Sequence, residues 1–292
     1  MRVKFKMNLF ENYYTDPSRQ TVILAPKHKE AAKDMASLCP VLLQNKNKSL
    51  PIGSSLSTLA VIGALGDDPD NQIGTWAPDG KASDSITPLT SLKENLKNTK
   101  VSFAAGYNSA SDNDTSLIEE AVKVAASSEK VVIFAGESNN MSGEAASRAN
   151  INLPGIQEDL IKEVAKTGRP IILVVYAGRP ITLESVLPYV DSVLFAWHLG
   201  TMAGPALADL IIGNTSPSGK LPVSFPRVVG QIPIYYNKKN TGRPNNTHNY
   251  IPFTSCYIDI DPQPLFPFGF GLSYTTFSYS NFKMSRTSIK FG

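Results

Sequence analysis

No stretch of this 292-residue sequence approaches the run of about 20 apolar residues that a membrane-spanning helix requires. The longest candidates, IILVVYAG at 171–178 and SVLFAW at 192–197, fall below half that length, so no bilayer span is expected. Cysteine and histidine are equally scarce. Cys39 and Cys256 lie far apart, and His28, His198 and His248 are scattered, so there is no CxxC or HExxH spacing to hold a metal. A disulfide between the two cysteines has no support and is left open. The net charge is only +3 and no dense Lys/Arg run occurs, which removes the electrostatic basis for binding nucleic acid or an anionic membrane. The start, MRVKFKMNLFENYY, is basic but has neither a continuous apolar core nor a small-residue cleavage site. It does not read as a secretory leader, and the compartment stays open. The GxSxG nucleophile elbow is missing, which argues against an α/β-hydrolase triad. After the first strong apolar run the chain reads Gly63-Ala64-Leu65-Gly66-Asp67-Asp68, which is neither GxGxxG nor a P-loop, so no nucleotide cofactor is expected.

What is present is a repeated unit: a short apolar run, a glycine, a polar loop and then a helical pattern. The runs are TLAVIGALG (58–66), VSFAAG (101–106), VVIFAG (131–136), IILVVYAG (171–178) and VLFAWHLG (193–200). Continuous rather than alternating hydrophobicity suits strands covered on both faces, as in a parallel sheet. Helical spacing is found at 116–129, at 154–168 and at 202–213, the last two ending on glycine. Strand alternating with helix predicts an α/β sandwich with right-handed crossovers.

The flanks differ from this block. Residues 1–25 form an irregular, aromatic-rich lead-in, followed by a predicted helix at 27–38 and a short strand, PVLLQN, at 40–45. The polar stretch 235–253 reads as surface loop, and the tail from 273 alternates aromatic and polar residues in the manner of antiparallel strands. The expected organisation is a lead-in at 1–25, an α/β domain at 26–272 and the first strands of a further β-sandwich domain at 273–292.

The stretch FAGESNNMSGEAASRANINLPG, 134–155, places Glu137, Glu144 and Arg148 in a loop directly after a predicted strand. Open parallel sheets bind ligands at the carboxyl ends of their strands, so these charges stand where chemistry is done. A carboxyl group in a partly dry cleft can donate a proton near neutral pH, and Arg148 could orient Glu144 or contact a ligand. The competing reading is a pair of solvated glutamates with Arg148 bound to one of them. Spacing alone does not choose.

Longer motifs add a resemblance. GEAASRANINLPGIQEDLI, AWHLGTMAGPALADLIIGNTSPSGKLPVSFPR, GQIPIYYNKKNTGRP and PLFPFGFGLSYTTF together resemble the C-terminal half of glycoside hydrolase family 3, the β-glucosidase and β-xylosidase family. The lead-in RVKFKMNLFENYY and AVIGALGDDPDNQIGTW resemble the linker and first strand of the same half. The resemblance implies an (α/β)6 sandwich with a mostly parallel six-stranded sheet and helices on both faces. In such enzymes this sandwich lies between an N-terminal barrel and a fibronectin type III-like domain. It implies a retaining, exo-acting β-glycosidase whose nucleophilic aspartate sits on the barrel, leaving this half without activity by itself. Aligning GEAASR with the family's loop puts the general acid/base role on Glu144, with Glu137 as second choice. Trp76 and Arg148 become candidate substrate contacts, and no cofactor is implied. Trp197 and His198 read as structural, and Asn240, Arg243 and Asn246 as residues that could edge the cleft. The partners implied are the barrel and a β-linked glucoside, with self-association possible, and the compartment implied is periplasmic or secreted. Where the family often has Gly and Pro in the lead-in, this chain has Asn8 and Tyr13, and Cys39-Pro40 stands where a polar pair is common. Two alternatives stay open: a non-catalytic carbohydrate-binding or barrel-docking module, and a nucleotide-binding α/β domain.

Overall fold

A computed structural model of the chain describes residues 1–77, 79–240, 242–245 and 247–288. Six strands form one sheet: β1 (Val41–Asn45), β2 (Thr58–Ile62), β3 (Lys100–Ala104), β4 (Lys130–Gly136), β5 (Ile171–Tyr176) and β6 (Ser192–Phe195), in the order β1-β6-β5-β4-β2-β3. Every pairing is parallel except that of β1 with β6. The apolar runs match these strands because both faces are covered, and β5 is buried from end to end. A continuous Val/Ile/Leu run is stable only in such a setting.

The helices are α1 (Arg2–Lys6), α2 (Pro26–Leu38), α3 (Pro69–Ile73), α4 (Pro88–Asn95), α5 (Ile118–Ala126), α6 (Gln157–Ala165) and α7 (Ala203–Ile212). They divide between the faces of the sheet, with α4, α7 and α2 packed on one and α5 with α6 on the other. Topology explains the division. From β2 to β3 the chain steps toward one edge, and from β3 through β4 and β5 to β6 it steps toward the other, so right-handed crossovers must cover opposite faces. Helix α6 fastens itself by burying Leu160, Ile161 and Val164 completely, worth about 1.5–3 kcal/mol for each such side chain.

Helices α3 and α4 fall between residues 66 and 100, where the sequence pattern predicts none. Both start with capping residues: Asp68 accepts from the amides of Asp70 and Asn71 ahead of Pro69, and Thr87 accepts from that of Thr90 ahead of Pro88. With only five and eight residues, they are too short to give a periodic signal. Helix α4 is held by burial of Leu89 and Leu92, and α3 by the enclosed Gln72, whose side-chain amide donates to the Ile86 carbonyl at 2.9 Å.

The lead-in carries the one-turn helix α1 and a 3-10 turn at Pro17–Val22, and leaves Phe5, Phe10, Tyr13 and Tyr14 exposed. In the tail, Leu272 bridges Leu42 of β1, but residues 273–288 form no strand. An isolated strand has no ladder to satisfy its amides, so the alternating pattern finds no partner within the described residues. Residues 289–292 of the expected further domain, and Asn246 of the polar stretch, lie outside them.

Candidate active site

Strand order decides where a ligand can enter. The chain reverses direction across the sheet between β2 and β4, and at such a switch point open parallel sheets bind ligands beyond the carboxyl ends of their strands. The loop after β4 contains Glu137, Glu144 and Arg148, and the segment after β2 leads through α3 to Trp76. The two segments touch. A β-carbon on Gly143 would press against the Thr75 methyl group and stand 3.4 Å from the indole nitrogen of Trp76, and Gly143 has φ +119°, open to glycine but costly for other residues. The amide of Asn139 donates to the Asn71 side chain at 2.7 Å, joining the same segments a second time.

The two glutamates have opposite environments. Glu137 follows Gly136 directly and is fully buried, its amide donating to the Tyr176 carbonyl of β5 at 2.7 Å. Its carboxylate receives Arg148 Nη1 at 2.5 Å, Arg179 Nε at 3.0 Å and the Ser142 hydroxyl at 3.0 Å. Glu144 is exposed, and its carboxylate takes part in no hydrogen bond or ion pair among the described residues. Arg148 therefore does not orient Glu144, four residues earlier: its fork turns inward, to Glu137 and to the Asn152 carbonyl at 3.1 Å. The i,i+4 argument for a Glu144–Arg148 contact holds in a helix, and this segment is not one. Trp76 is 72% exposed, so its indole is open to solvent rather than packed beneath the loop.

Arg179 was not singled out by the sequence. Its signal was its place, three residues past β5 at the same end of the sheet, which is the criterion that picked out Glu137. Its fork also donates to the carbonyls of Met141 and, at 2.6 Å, Ala146.

Trp197 and His198 leave the end of β6, and their expected structural role fits what surrounds them. Trp197 packs edge-on against Phe195 at 4.7 Å with φ +61°. Both ring nitrogens of His198 are shielded from solvent and have no hydrogen-bond partner among the described residues. Burial pushes the His198 pKa below its ordinary 6.5, with the Glu137 charge acting in the opposite direction. The folded chain thus resists a proton that the unfolded chain accepts, and its stability falls as pH drops below 6.5. A single site changes stability by at most about 1.4 kcal/mol per pH unit. His198→Gln is expected to flatten the loss of urea stability between neutral pH and pH 5 relative to the parent chain; parallel curves for the two proteins would refute the assignment.

Among the described residues, no group of three His, Cys, Asp or Glu side chains is arranged to hold a metal. Both cysteines are free thiols. No described helix is long and apolar enough to cross a membrane.

Comparison with known proteins gives the family and the fold of the chain. The chain is 38% identical to the periplasmic beta-glucosidase of Salmonella typhimurium over 99% of its own length and 41% of the relative's. It is 34% identical to a beta-xylosidase of Formosa agariphila, covering 99% of this chain and 40% of the other. Among solved structures, the beta-glucosidase of Listeria innocua in complex with isofagomine superposes with a TM-score of 0.87 at 34% identity, over 94% of this chain and 38% of that one. The chain thus spans about two fifths of the length of these relatives. The glycosyl hydrolase family 3 C-terminal domain matches residues 40–274, and the chain belongs to that family.

Proposed function

We propose that the chain is the C-terminal half of a retaining, exo-acting β-glycosidase of the β-glucosidase or β-xylosidase type, and that Glu144 is its general acid/base. The observation that carries this reading is the exposed carboxylate of Glu144, unpaired among the described residues, on a loop whose Gly143 adjoins Trp76 at the switch point of the sheet. Glu137, the alternative, is enclosed and neutralised by two guanidinium groups and has no free face to offer a substrate.

In the first step a carboxylate on an N-terminal barrel attacks the anomeric carbon while Glu144 gives its proton to the departing glycosidic oxygen. In the second, Glu144 takes a proton from water as that water displaces the enzyme carboxylate. Such a pair works at a separation of about 5–5.5 Å. Glu144 therefore has to stand at the surface of its own half, facing the other, as its exposure allows. The indole of Trp76 offers an apolar face for a sugar ring. Exposed aromatic side chains of the lead-in are candidates for contact with the barrel. A periplasmic or secreted location rests on the kinship with the Salmonella protein.

Glu144→Ala, made in the polypeptide that carries this chain behind its N-terminal half, tests the assignment. Turnover of substrates with poor leaving groups is expected to fall about 10²–10⁴-fold, and azide is expected to restore turnover of an activated aryl glycoside by replacing water as nucleophile. Unchanged turnover would favour a wall or docking role for this loop.

A further inference from the structure

Glu144 sits on a loop that has little means of holding its own shape. The residues on either side of it, Gly143 at φ +119° and Ala145 at φ +59°, both take left-handed backbone conformations. The loop's own backbone supplies one hydrogen bond across this point, from the Ala146 amide to the Gly143 carbonyl at 3.2 Å. A non-glycine residue at positive φ persists only where its surroundings impose it.

Two arginines supply that imposition. Arg179, from the end of β5, donates to the carbonyls of Met141 and Ala146, one on each side of Glu144. Arg148 donates to the Asn152 carbonyl and closes the far end of the loop. Both guanidinium groups are mostly buried, with 20% of each side chain exposed, and they converge on the single carboxylate of Glu137, which also accepts from Ser142 within the loop. Glu137 is itself fixed to the sheet through its amide and the Tyr176 carbonyl. The chain of contacts thus runs from the rigid sheet, through Glu137, through two guanidinium forks, to both shoulders of Glu144.

We infer that Glu137 is a positioning residue for Glu144: its buried negative charge holds Arg148 and Arg179 in the orientation that fixes the loop, and so sets where the Glu144 carboxylate stands. The inference rests on the reading of Glu144 as the acid/base. Without the Glu137 charge the two cations repel each other across a partly dry space, and their forks lose the common acceptor that aims them at the loop carbonyls. Lysine at position 179 keeps the charge but cannot serve the Glu137 carboxylate and two carbonyls with one planar fork.

The test uses the polypeptide with both halves and a series of aryl β-glycosides running from 2,4-dinitrophenyl to phenyl, with kcat/KM as the readout because it reports the bond-breaking step. A good leaving group departs without a proton and a poor one needs it. Displacing the proton donor therefore penalises poor leaving groups selectively, whereas general loosening of the fold lowers every substrate alike. Glu137→Gln and Arg179→Lys, checked for folding by circular dichroism, are expected to raise the ratio of 2,4-dinitrophenyl to phenyl rates about 10-fold or more, in the same direction as Glu144→Gln and by a smaller factor. If Glu137→Gln does not fold, Arg179→Lys carries the comparison. A uniform fall across the series, or none, in these two variants while Glu144→Gln shows a steep leaving-group dependence would overturn the positioning role alone. A flat series for Glu144→Gln would overturn the acid/base reading and this inference with it.

Discussion

Assayed by itself on an aryl β-glucoside, this chain is expected to release no aglycone above the background rate, and to gain turnover when its N-terminal half is supplied. The expectation follows from the proposed chemistry. Glu144 is exposed and has no ion-pair partner among the described residues, while double displacement needs, besides a proton donor, an attacking carboxylate on the opposite side of the sugar, which the proposal puts on the barrel. Groups that act as a unit lose nearly all of their effect when one is removed, about 10⁴–10⁶-fold where catalytic triads have been dismantled. Binding should suffer as well, because a tryptophan that is 72% exposed offers a surface rather than a pocket. The measurement is aryl glucoside hydrolysis by the purified chain, with and without the separately produced N-terminal half. Turnover by the chain alone at the rate of the combined halves would refute the proposal that the nucleophile lies outside it.

The second large effect is on stability. Glu137→Leu removes the one anion that, among the described residues, pairs with two mostly buried guanidinium groups, and leaves both uncompensated. Breaking a buried pair from one side costs about 3–5 kcal/mol, and the 20% exposure of each arginine argues for the lower end. That is a large share of the roughly 5–15 kcal/mol that holds a domain folded. Adding Arg179→Met should recover part of the loss, since one of the stranded charges is then gone. Urea unfolding of the parent, the single variants and the double variant closes the cycle. A Glu137→Leu cost below about 1 kcal/mol would mean that the cluster is solvated and that its charges are held apart by water.

Much of the architecture was legible without coordinates, for identifiable reasons. A strand such as IILVVY carries its burial in its composition, because only a sheet covered on both faces can use an unbroken apolar run. Helix α6 announced itself through Pro154 before it and Gly168 after it. Helix α4 did not: two turns are too few for a period, and Leu89 and Leu92 became a buried face only once α7 lay across them. The tail read as strand because its alternation was sound, yet alternation only specifies a strand once a partner is available.

At the candidate site the division is sharper. Local sequence placed Glu137, Glu144 and Arg148 together in one loop at the carboxyl end of a strand, and motif resemblance ranked Glu144 first. Arg179 shared their place past the end of a strand, but nothing local revealed that it would reach Glu137, 42 residues away in sequence, or that Arg148 would turn away from Glu144. Sequence alone determined the α/β sheet, the loop and the family. Tertiary structure decided which carboxylate is enclosed and which is free, because the state of a carboxyl group depends on the charges and solvent that surround it, and the cations enclosing Glu137 arrive on two different segments brought together by the pairing of β4 with β5.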